Sequence, residues 1–262
     1  MTKETITVET QGHILLIGLN RVEKRNAFDL DMYCKLGAAY GELHNNSTLR
    51  CGVLFAQGEH FTAGLDLVQW APFFNAGHFP KLPEGALDPL GLDETNRLRK
   101  PLIMAVQGIC LTIGIELLLA TDVRVAATNT RLGQIEIKRG IYPVGGATIR
   151  LMQEVGWGNA MRYLLTADEI TADEAFRMGL VQVLTSPGQQ LERAIEIAQT
   201  IATQAPLGVQ ATLASARLAR TQGSEAALAR LLPDLMPIMA SEDVKEGVQA
   251  FIERRTAKFQ GR

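Results

Sequence analysis

Short apolar runs alternate with amphipathic stretches over the first half of the chain. The segments ITVE (6–9) and HILLIGLN (13–20) are rich in branched apolar residues and flank Gln11-Gly12, which predicts a hairpin. Asp29 is a predicted N-cap, and the apolar residues at helical spacing after it predict a helix that runs to about Asn46. Further buried strands are predicted at 51–58, 101–108, 121–127 and 131–137. Strands that alternate with helices in this way indicate an α/β fold whose sheet is partly parallel.

Helical signals dominate after Gly145. Thr171 and Glu174 form a capping-box pair, and Ser186-Pro187 is typical of the start of a helix. Further helices are predicted at 206–222, at 224–239 and from Ser241 onward. Residues 71–92 are rich in glycine and proline, so they predict a long loop that is functional or mobile.

Length and composition place the chain among folded globular proteins. It has 262 residues, of which 47% are hydrophobic and 21% charged, and this excludes wholesale disorder. With 26 basic and 28 acidic residues the net charge is −2, so no general attraction to nucleic acid or to an anionic membrane is expected. Three scattered cysteines fit neither a closed disulfide framework nor a zinc site, and the first ten residues do not resemble a secretory signal. A cytoplasmic location is therefore expected.

The segment 101–120 is apolar enough to resemble a membrane span, but it contains Gln107, Glu116 and two glycines. A Glu near the centre of a span is costly, so a buried strand, a turn at Gly108 and a buried helix are the better interpretation. Buried Glu is rare without a partner. Glu116 is therefore either a core residue paired with a basic side chain, or a general acid or base whose pKa is raised by burial.

Glu136 is the second candidate. In an extended strand its side chain would share one face with Gln134 and Lys138, which by itself indicates a solvated polar face. Two carboxyl groups in one site can divide the roles of acid and base if their surroundings differ. The pair of Glu116 and Glu136 is therefore a stronger functional signal than either residue alone.

Two turns of small residues offer backbone hydrogen-bond donors. FTAGLDL (61–67) leads from an apolar run into a helix-like stretch, and Thr112-Ile113-Gly114 lies just before Glu116. Amide N–H groups at a helix start lack an intrahelical partner and can bind an oxyanion. If both turns face one cavity, they form a two-donor site for an enolate-like oxygen. The histidines have no metal-ligand spacing and no dinucleotide motif occurs, so neither a metal nor NAD is expected.

These segments together resemble the crotonase superfamily, the enoyl-CoA hydratase and isomerase family, from about Ile6 to Arg262. The matching motifs are NRVEKRNAF (20–28), FTAGLDL (61–67), GICLTIGIELLLATDVRVA (108–126) and RLGQIEIKRGIYPVGGATIRL (131–151). The resemblance implies a crotonase-like spiral of ββα units in residues 1–200, followed by a C-terminal helical trimerisation region in residues 201–262. It also implies a homotrimer or a dimer of trimers.

The resemblance also implies roles for single residues. Glu116 and Glu136, which lie 20 residues apart as in hydratases of the family, would be catalytic, and the backbone N–H groups of Leu65 and Ile113 would form an oxyanion hole. The residues expected to contact CoA or substrate are Lys24, Arg25, Ala27, Ala63, Gly64, Asp66, and, from a neighbouring subunit, Lys258 and Phe259. Coenzyme A would be part of the substrate, with no tightly bound cofactor. Ile113 lies in a position where hydratases usually have a glycine run, and it is expected to narrow the acyl pocket.

The implied function is that of an enoyl-CoA hydratase, which adds water reversibly to the double bond of a 2-enoyl-CoA thioester, as in fatty-acid degradation. Glu116 would take a proton from the attacking water, and Glu136 would deliver a proton to Cα. A double-bond isomerase that uses Glu136 alone, or another crotonase-type lyase or hydrolase, is the alternative. A non-enzymatic RNA-binding module is a third hypothesis, and the net charge of −2 speaks against it.

Overall fold

A parallel sheet and a smaller second sheet organise the chain. The computed structural model describes residues 4–262. The strands are β1 (Ile6–Gln11), β2 (Ile14–Leu19), β3 (Cys51–Ala56), β4 (Leu102–Val106), β5 (Ile109–Leu111), β6 (Val123–Ala127), β7 (Arg131–Gly133), β8 (Ile170–Thr171) and β9 (Val183–Thr185). The helices are α1 (Leu30–Asn45), α2 (Leu67–Asn75), α3 (Ile113–Ala120), α4 (Ala147–Val155), α5 (Trp157–Thr166), α6 (Ala172–Arg177), α7 (Gln190–Ala202), α8 (Pro206–Gln222), α9 (Ser224–Met239) and α10 (Glu242–Glu253).

The larger sheet has the strand order β1-β2-β3-β4-β6-β9. β1 and β2 pair in antiparallel fashion with Gln11 opposite Ile14, which confirms the predicted hairpin. The other pairings in this sheet are parallel, as the alternation of strands and helices predicted. Its central strands are almost entirely buried, because helices cover both faces of a parallel sheet.

Two hydrophobic clusters fill the space on either side of the larger sheet. One joins the sheet to α1 and to α3, α4 and α5. On the other side, Ala194, Ala198 and Ala202 of α7 pack against the strands. Predicted N-caps are confirmed where a side chain accepts a hydrogen bond from the first turn of its helix, at Asp29, Thr171 and Ser241.

The smaller sheet, of order β5-β7-β8, brings the two glutamate segments together. β5 leads directly into α3, where Glu116 is the fourth residue. β7 ends at Gly133, three residues before Glu136. Because β5 and β7 pair in parallel, both segments leave the sheet at the same end. The local topology therefore places the two carboxyl groups on one side of the molecule.

The prediction of a strand over residues 131–137 is wrong beyond Gly133. Ile135 leaves the extended conformation, with φ −107° and ψ 13°, and residues Glu136–Arg139 form a 3₁₀ turn. Gly140 ends this turn in the left-handed conformation. Since β5 offers only three residues for pairing, no strand partner holds the chain extended beyond that point.

Three further sequence predictions differ from the structure. The helix predicted from Ser186-Pro187 begins at Gln190, because Gly188 has a φ of +93°, which an α-helix does not contain. Residues 71–92 are not one long loop, since α2 extends to Asn75. The short strands β8 and β9 also interrupt the half of the chain that was predicted to be helical.

The helices α8, α9 and α10 lie outside both hydrophobic clusters, and α8 packs chiefly against α9. The division of the chain into a core, 1–200, and a helical region, 201–262, stays a prediction, and α7 crosses that boundary and ends at Ala202. The first three residues of the proposed core lie outside the described residues. Within residues 4–262, no helix combines the length and the apolar character that crossing a bilayer requires.

Candidate active site

Glu116 is held inside the protein by α3. This helix is buried on all sides, as the sequence predicted, and Glu116 is only 5% exposed. Its Oε1 accepts a hydrogen bond from the Gly145 N–H at 2.6 Å. Position 145 requires glycine, because a Cβ there would overlap the Glu116 carboxylate. Backbone amides rather than a basic side chain hold the carboxylate, so the interpretation as a core ion pair does not apply.

Both glutamates have a raised pKa. Burial, and then the charge of Glu136, raises the pKa of Glu116 from 4.5 to about 7, while hydrogen bonds from the amides of Gly145 and Ala147 oppose that rise. Burial also raises the pKa of Glu136 from 4.5 to about 7. Oε2 of Glu136 is buried and has no hydrogen-bond partner among residues 4–262. Carboxyl groups that titrate near neutral pH are suited to general acid–base chemistry.

Leu65 and Ile113 present backbone N–H groups that donate to no other described residue. Next to Leu65, the Asp66 N–H is engaged, since it donates to the Phe28 carbonyl at 2.8 Å. Ile113 is the first residue of α3, where an amide has no intrahelical acceptor. These two amides are available to an oxygen atom of a ligand.

One cavity of about 150 Å³ brings the candidate groups together. Its lining contains Glu116 and Glu136, the two residues with free amides, and the predicted contact Ala63. The remaining lining residues, mostly apolar, are Leu67, Phe74, Thr112, Ile135, Arg139, Ile141, Tyr142 and Val144. The cavity thus combines two titratable carboxyl groups with two hydrogen-bond donors in an apolar enclosure.

The wall formed by α2 is fixed by a tryptophan. Trp70 is fully buried, and its Nε1–H donates to the Phe28 carbonyl at 2.9 Å. Its ring packs at 5.7 Å from the ring of Phe74, which lines the cavity. Trp70 therefore ties the cavity wall to the segment that precedes α1.

Sequence reasoning missed the anchor of Glu116. The amides of Gly145, 29 residues away in the chain, and of Ala147 hold its carboxylate. The signal that could have revealed them is the pair Gly145-Gly146 at the start of α4, because a helix start without a side-chain cap leaves amides free for another acceptor. Sequence reasoning also assigned no role to the Thr112 side chain, which lines the cavity.

The other predicted contacts lie around the cavity or away from it. Lys24 and Arg25 are exposed beside a 3₁₀ turn, and the Arg25 carbonyl accepts the Ala63 N–H at 2.9 Å. Asp66 does not line the cavity and pairs with Arg21 at 3.2 Å. Gly64, with φ +108°, lies in the turn that presents Leu65, and its carbonyl accepts the N–H of Phe28. Ala27 belongs to the neighbouring segment, where its N–H donates to the Lys24 carbonyl at 3.0 Å.

Lys258 and Phe259 belong to the C-terminal tail and are outside the cavity lining of their own chain. The Lys258 N–H donates to Glu246 at 2.7 Å, and the Phe259 ring lies against Gly247. Their predicted contact with CoA from a neighbouring subunit stays a prediction.

A larger cavity of about 680 Å³ lies between α4 and α8. Most of its acids and bases are paired with each other, as in Arg217 with Asp122 at 2.8 Å and Arg124 with Glu154 at 3.0 Å, and Arg150 donates to the carbonyls of Leu90 and Gly91. Paired charges of this kind stabilise the fold rather than present a reactive group. The smaller cavity with Glu116 and Glu136 is therefore the candidate active site.

The sequence and the structure were compared with those of known proteins. The model of the enoyl-CoA hydratase/isomerase family matches residues 9–262. The chain belongs to the enoyl-CoA hydratase/isomerase family. Enoyl-CoA hydratase EchA19 of Mycobacterium tuberculosis is 36% identical over 97% of this chain and 96% of its own length. The short-chain-enoyl-CoA hydratase of Clostridium acetobutylicum is 32% identical, with 97% of each chain covered.

Solved structures of the hydratase/isomerase family have the same architecture. A probable enoyl-CoA hydratase/isomerase from Mycobacterium abscessus is 50% identical and superposes with a TM-score of 0.96 over 99% of both chains. Enoyl-CoA hydratase from Mycobacterium tuberculosis H37Rv gives a TM-score of 0.90 at 34% identity, over 99% of this chain and 100% of its own. The predicted crotonase-like α/β fold is confirmed.

Proposed function

We propose that the protein is an enoyl-CoA hydratase, which adds water reversibly to a 2-enoyl-CoA thioester and gives a 3-hydroxyacyl-CoA. The observation that carries this proposal is the pair of carboxyl groups, Glu116 and Glu136, that share one cavity and titrate near neutral pH. Relatives similar over nearly their whole length are named enoyl-CoA hydratases, which supports the same activity. Coenzyme A is then the carrier of the substrate acyl group.

The two glutamates divide the proton transfers. Glu116 is the base, because the amides that face its carboxylate favour the ionised form. Glu136 is the acid, because its buried and unpartnered Oε2 favours the protonated form. Glu116 removes a proton from water as the water oxygen bonds to Cβ, and Glu136 gives its proton to Cα. One proton then returns from Glu116 to Glu136, and the same groups act in reverse during dehydration.

The free amides of Leu65 and Ile113 stabilise the charge that develops during this reaction. As water attacks Cβ, the electrons of the double bond move toward the thioester oxygen and give it enolate character. Two N–H donors in the wall of a mostly apolar cavity stabilise that oxygen more in the transition state than in the ground state. We assign the CoA portion of the substrate to the region around Lys24, Arg25 and Ala27, next to the turn that carries Leu65.

Hydration of crotonyl-CoA tests the proposal. Loss of the conjugated enoyl thioester is followed by ultraviolet absorbance, and the product is identified by mass spectrometry. Glu116→Gln and Glu136→Gln are each expected to lower kcat by at least about 100-fold, the lower end of the range for one acid–base group. Glu192→Gln, on the exposed side of α7, is the matched control and is expected to keep the wild-type rate.

The products distinguish the related reactions. Gain of one water means a hydratase, whereas a shifted double bond of unchanged mass means an isomerase that uses Glu136 alone. Full activity in both glutamine variants would overturn the two-carboxylate assignment. A panel of enoyl-CoA thioesters that differ in chain length and branching then defines the acyl group that the cavity prefers.

We also propose that the chain forms a homotrimer or a dimer of trimers. α9 and α10 leave large apolar side chains in water, among them Leu232 at 71% exposure and Phe251 at 85%. Exposed apolar surface of this kind is typical of an interface. Light scattering is expected to give three or six times the chain mass of 28.6 kDa, and a monomer at micromolar concentration would contradict the proposal.

A further inference from the structure

Thr112 has an unusual backbone conformation at the start of α3. Its φ is 50° and its ψ is −111°, a combination that is strained for a β-branched residue and easy for glycine. Hydrogen bonds fix this backbone on both sides. The Thr112 N–H donates to the Gly133 carbonyl at 2.8 Å, and the Thr112 carbonyl accepts the Glu116 N–H at 3.2 Å. Strain held in this way at a candidate active site indicates a functional reason for the side chain.

The hydroxyl of Thr112 faces the turn that carries one of the two free amides. A Cβ at position 64 would be 2.5 Å from Thr112 Oγ1 but 3.6 Å from its Cγ2, so the hydroxyl rather than the methyl group faces the turn that carries Leu65. On the other side, Ile113 is the next residue of the chain. The residue that carries the hydroxyl thus precedes one backbone donor of the proposed oxyanion hole, and the hydroxyl faces the residue before the other.

This hydroxyl has no hydrogen-bond partner among residues 4–262, although it is buried. Buried hydroxyl groups in proteins are nearly always hydrogen bonded. The side chain lines the same cavity as Oε2 of Glu136, which is also enclosed and unpartnered. Since both side chains line one cavity, a ligand bound there is available as their partner.

We propose that the Thr112 hydroxyl is a third hydrogen-bond donor to the thioester oxygen that binds between the N–H groups of Leu65 and Ile113. This inference rests on the proposed hydratase function and adds a side-chain donor to its two backbone donors. The hydroxyl keeps its proton throughout the reaction. Its hydrogen bond strengthens as the thioester oxygen gains negative charge, so its main effect is on kcat rather than on KM.

Three substitutions separate the hydroxyl from the shape of the side chain. Thr112→Val keeps the shape and removes the hydroxyl, Thr112→Ser keeps the hydroxyl, and Thr112→Gly removes the side chain and relieves the strained φ. We expect kcat for crotonyl-CoA hydration to fall about tenfold or more in the Val and Gly variants, below the full loss of one oxyanion donor. We expect the Ser variant to stay within about threefold of wild type, and KM to change little in all three.

The carbonyl stretching frequency of a bound acyl-CoA gives a direct readout. Difference infrared spectra with a ¹³C-labelled thioester carbonyl report the hydrogen bonds to that oxygen. The frequency is expected to rise in the Val and Gly variants, which lose one donor, and to match wild type in the Ser variant. If the Thr112 side chain served only to stabilise the fold, the carbonyl frequency would not rise in the Val and Gly variants while staying at the wild-type value in the Ser variant. Thr212→Val, on the exposed part of α8, is the control and is expected to change neither kcat nor the frequency.

The inference is overturned if Thr112→Gly, with its unstrained backbone, keeps wild-type kcat and carbonyl frequency. It is also overturned if Thr112→Ser loses as much activity as Thr112→Val, because shape would then be decisive. If the wild-type protein hydrates no enoyl-CoA, the proposed function fails, while the infrared measurement with a bound acyl-CoA still decides whether Thr112 contacts the thioester oxygen.

Discussion

Replacing Glu116 by glutamine should stabilise the protein in alkaline solution and change its stability little in acid. The glutamine oxygen can still accept the hydrogen bond from the Gly145 N–H, which Oε1 of Glu116 accepts at 2.6 Å. The amide carries no charge, so the variant avoids the cost of burying a carboxylate that is only 5% exposed. The effect on stability therefore depends on whether the wild-type carboxyl group is ionised.

The magnitude follows from the raised pKa. Burial, together with the charge of Glu136, raises the pKa of Glu116 from 4.5 to about 7. Between these pH values the folded protein binds a proton that the unfolded chain has released, so the wild-type protein loses stability as the pH rises through this window. The full shift corresponds to about 3 kcal/mol. One amide hydrogen left without an acceptor costs about 1 kcal/mol, so the expected net gain above pH 8 is about 2 kcal/mol.

Urea unfolding at pH 5 and at pH 8.5, followed by circular dichroism at one fixed protein concentration, measures the difference. Glu116→Gln is expected to be within about 1 kcal/mol of wild type at pH 5 and about 2 kcal/mol more stable at pH 8.5. Glu192→Gln, exposed on α7, controls for the loss of a charge in general. A difference between Glu116→Gln and wild type that is the same at both pH values would refute the reasoning.

Three further predictions concern the pH dependence of hydration, the anchor of Glu116 and the cap of α10. Hydration needs Glu116 ionised and Glu136 protonated, and both pKa values are raised to about 7. We therefore expect kcat/KM to fall on either side of about pH 7. A flat profile of kcat/KM from about pH 5 to 9 would contradict the assigned roles. Gly145→Ala should lower kcat about 100-fold, because the added methyl group would displace the Glu116 carboxylate. Gly208→Ala on α8 is the control and should keep full activity in the same assay, because the added methyl group would be 4.0 Å from its nearest neighbour, the Cβ of Ala205. Ser241→Ala should lower the free energy of unfolding by about 1 kcal/mol in urea titrations, since it removes the cap of α10, and an unchanged midpoint would argue against that cap.

The parts of the fold that sequence reasoning predicted depend on local signals. Apolar alternation and Gln11-Gly12 specify the first hairpin, and Asp29 and Ser241 cap the helices that follow them. The burial of Glu116 was predictable because aliphatic residues surround it on every side of a short helix. Each of these features is determined within about one turn or one strand of the residue concerned.

The parts that sequence reasoning missed depend on contacts between distant segments. Alternation placed Glu136 on a strand, but the length of β5 decides where β7 stops pairing, and the chain beyond Gly133 turns instead. The amide of Gly145 reaches Glu116 only because α3 and α4 pack together. No pattern within either segment specifies that packing.

The two tryptophans of the chain lie in opposite surroundings. Trp70 is fully buried next to Phe74 of the cavity wall, whereas Trp157 is 68% exposed at the start of α5. Their emission spectra should therefore be separate, with Trp70 at shorter wavelength. Trp157→Phe would leave Trp70 as the single tryptophan, packed on the ring of Phe74 that lines the cavity. The intrinsic fluorescence of Trp70 can therefore report the binding of acyl-CoA compounds that undergo no reaction, without an added label.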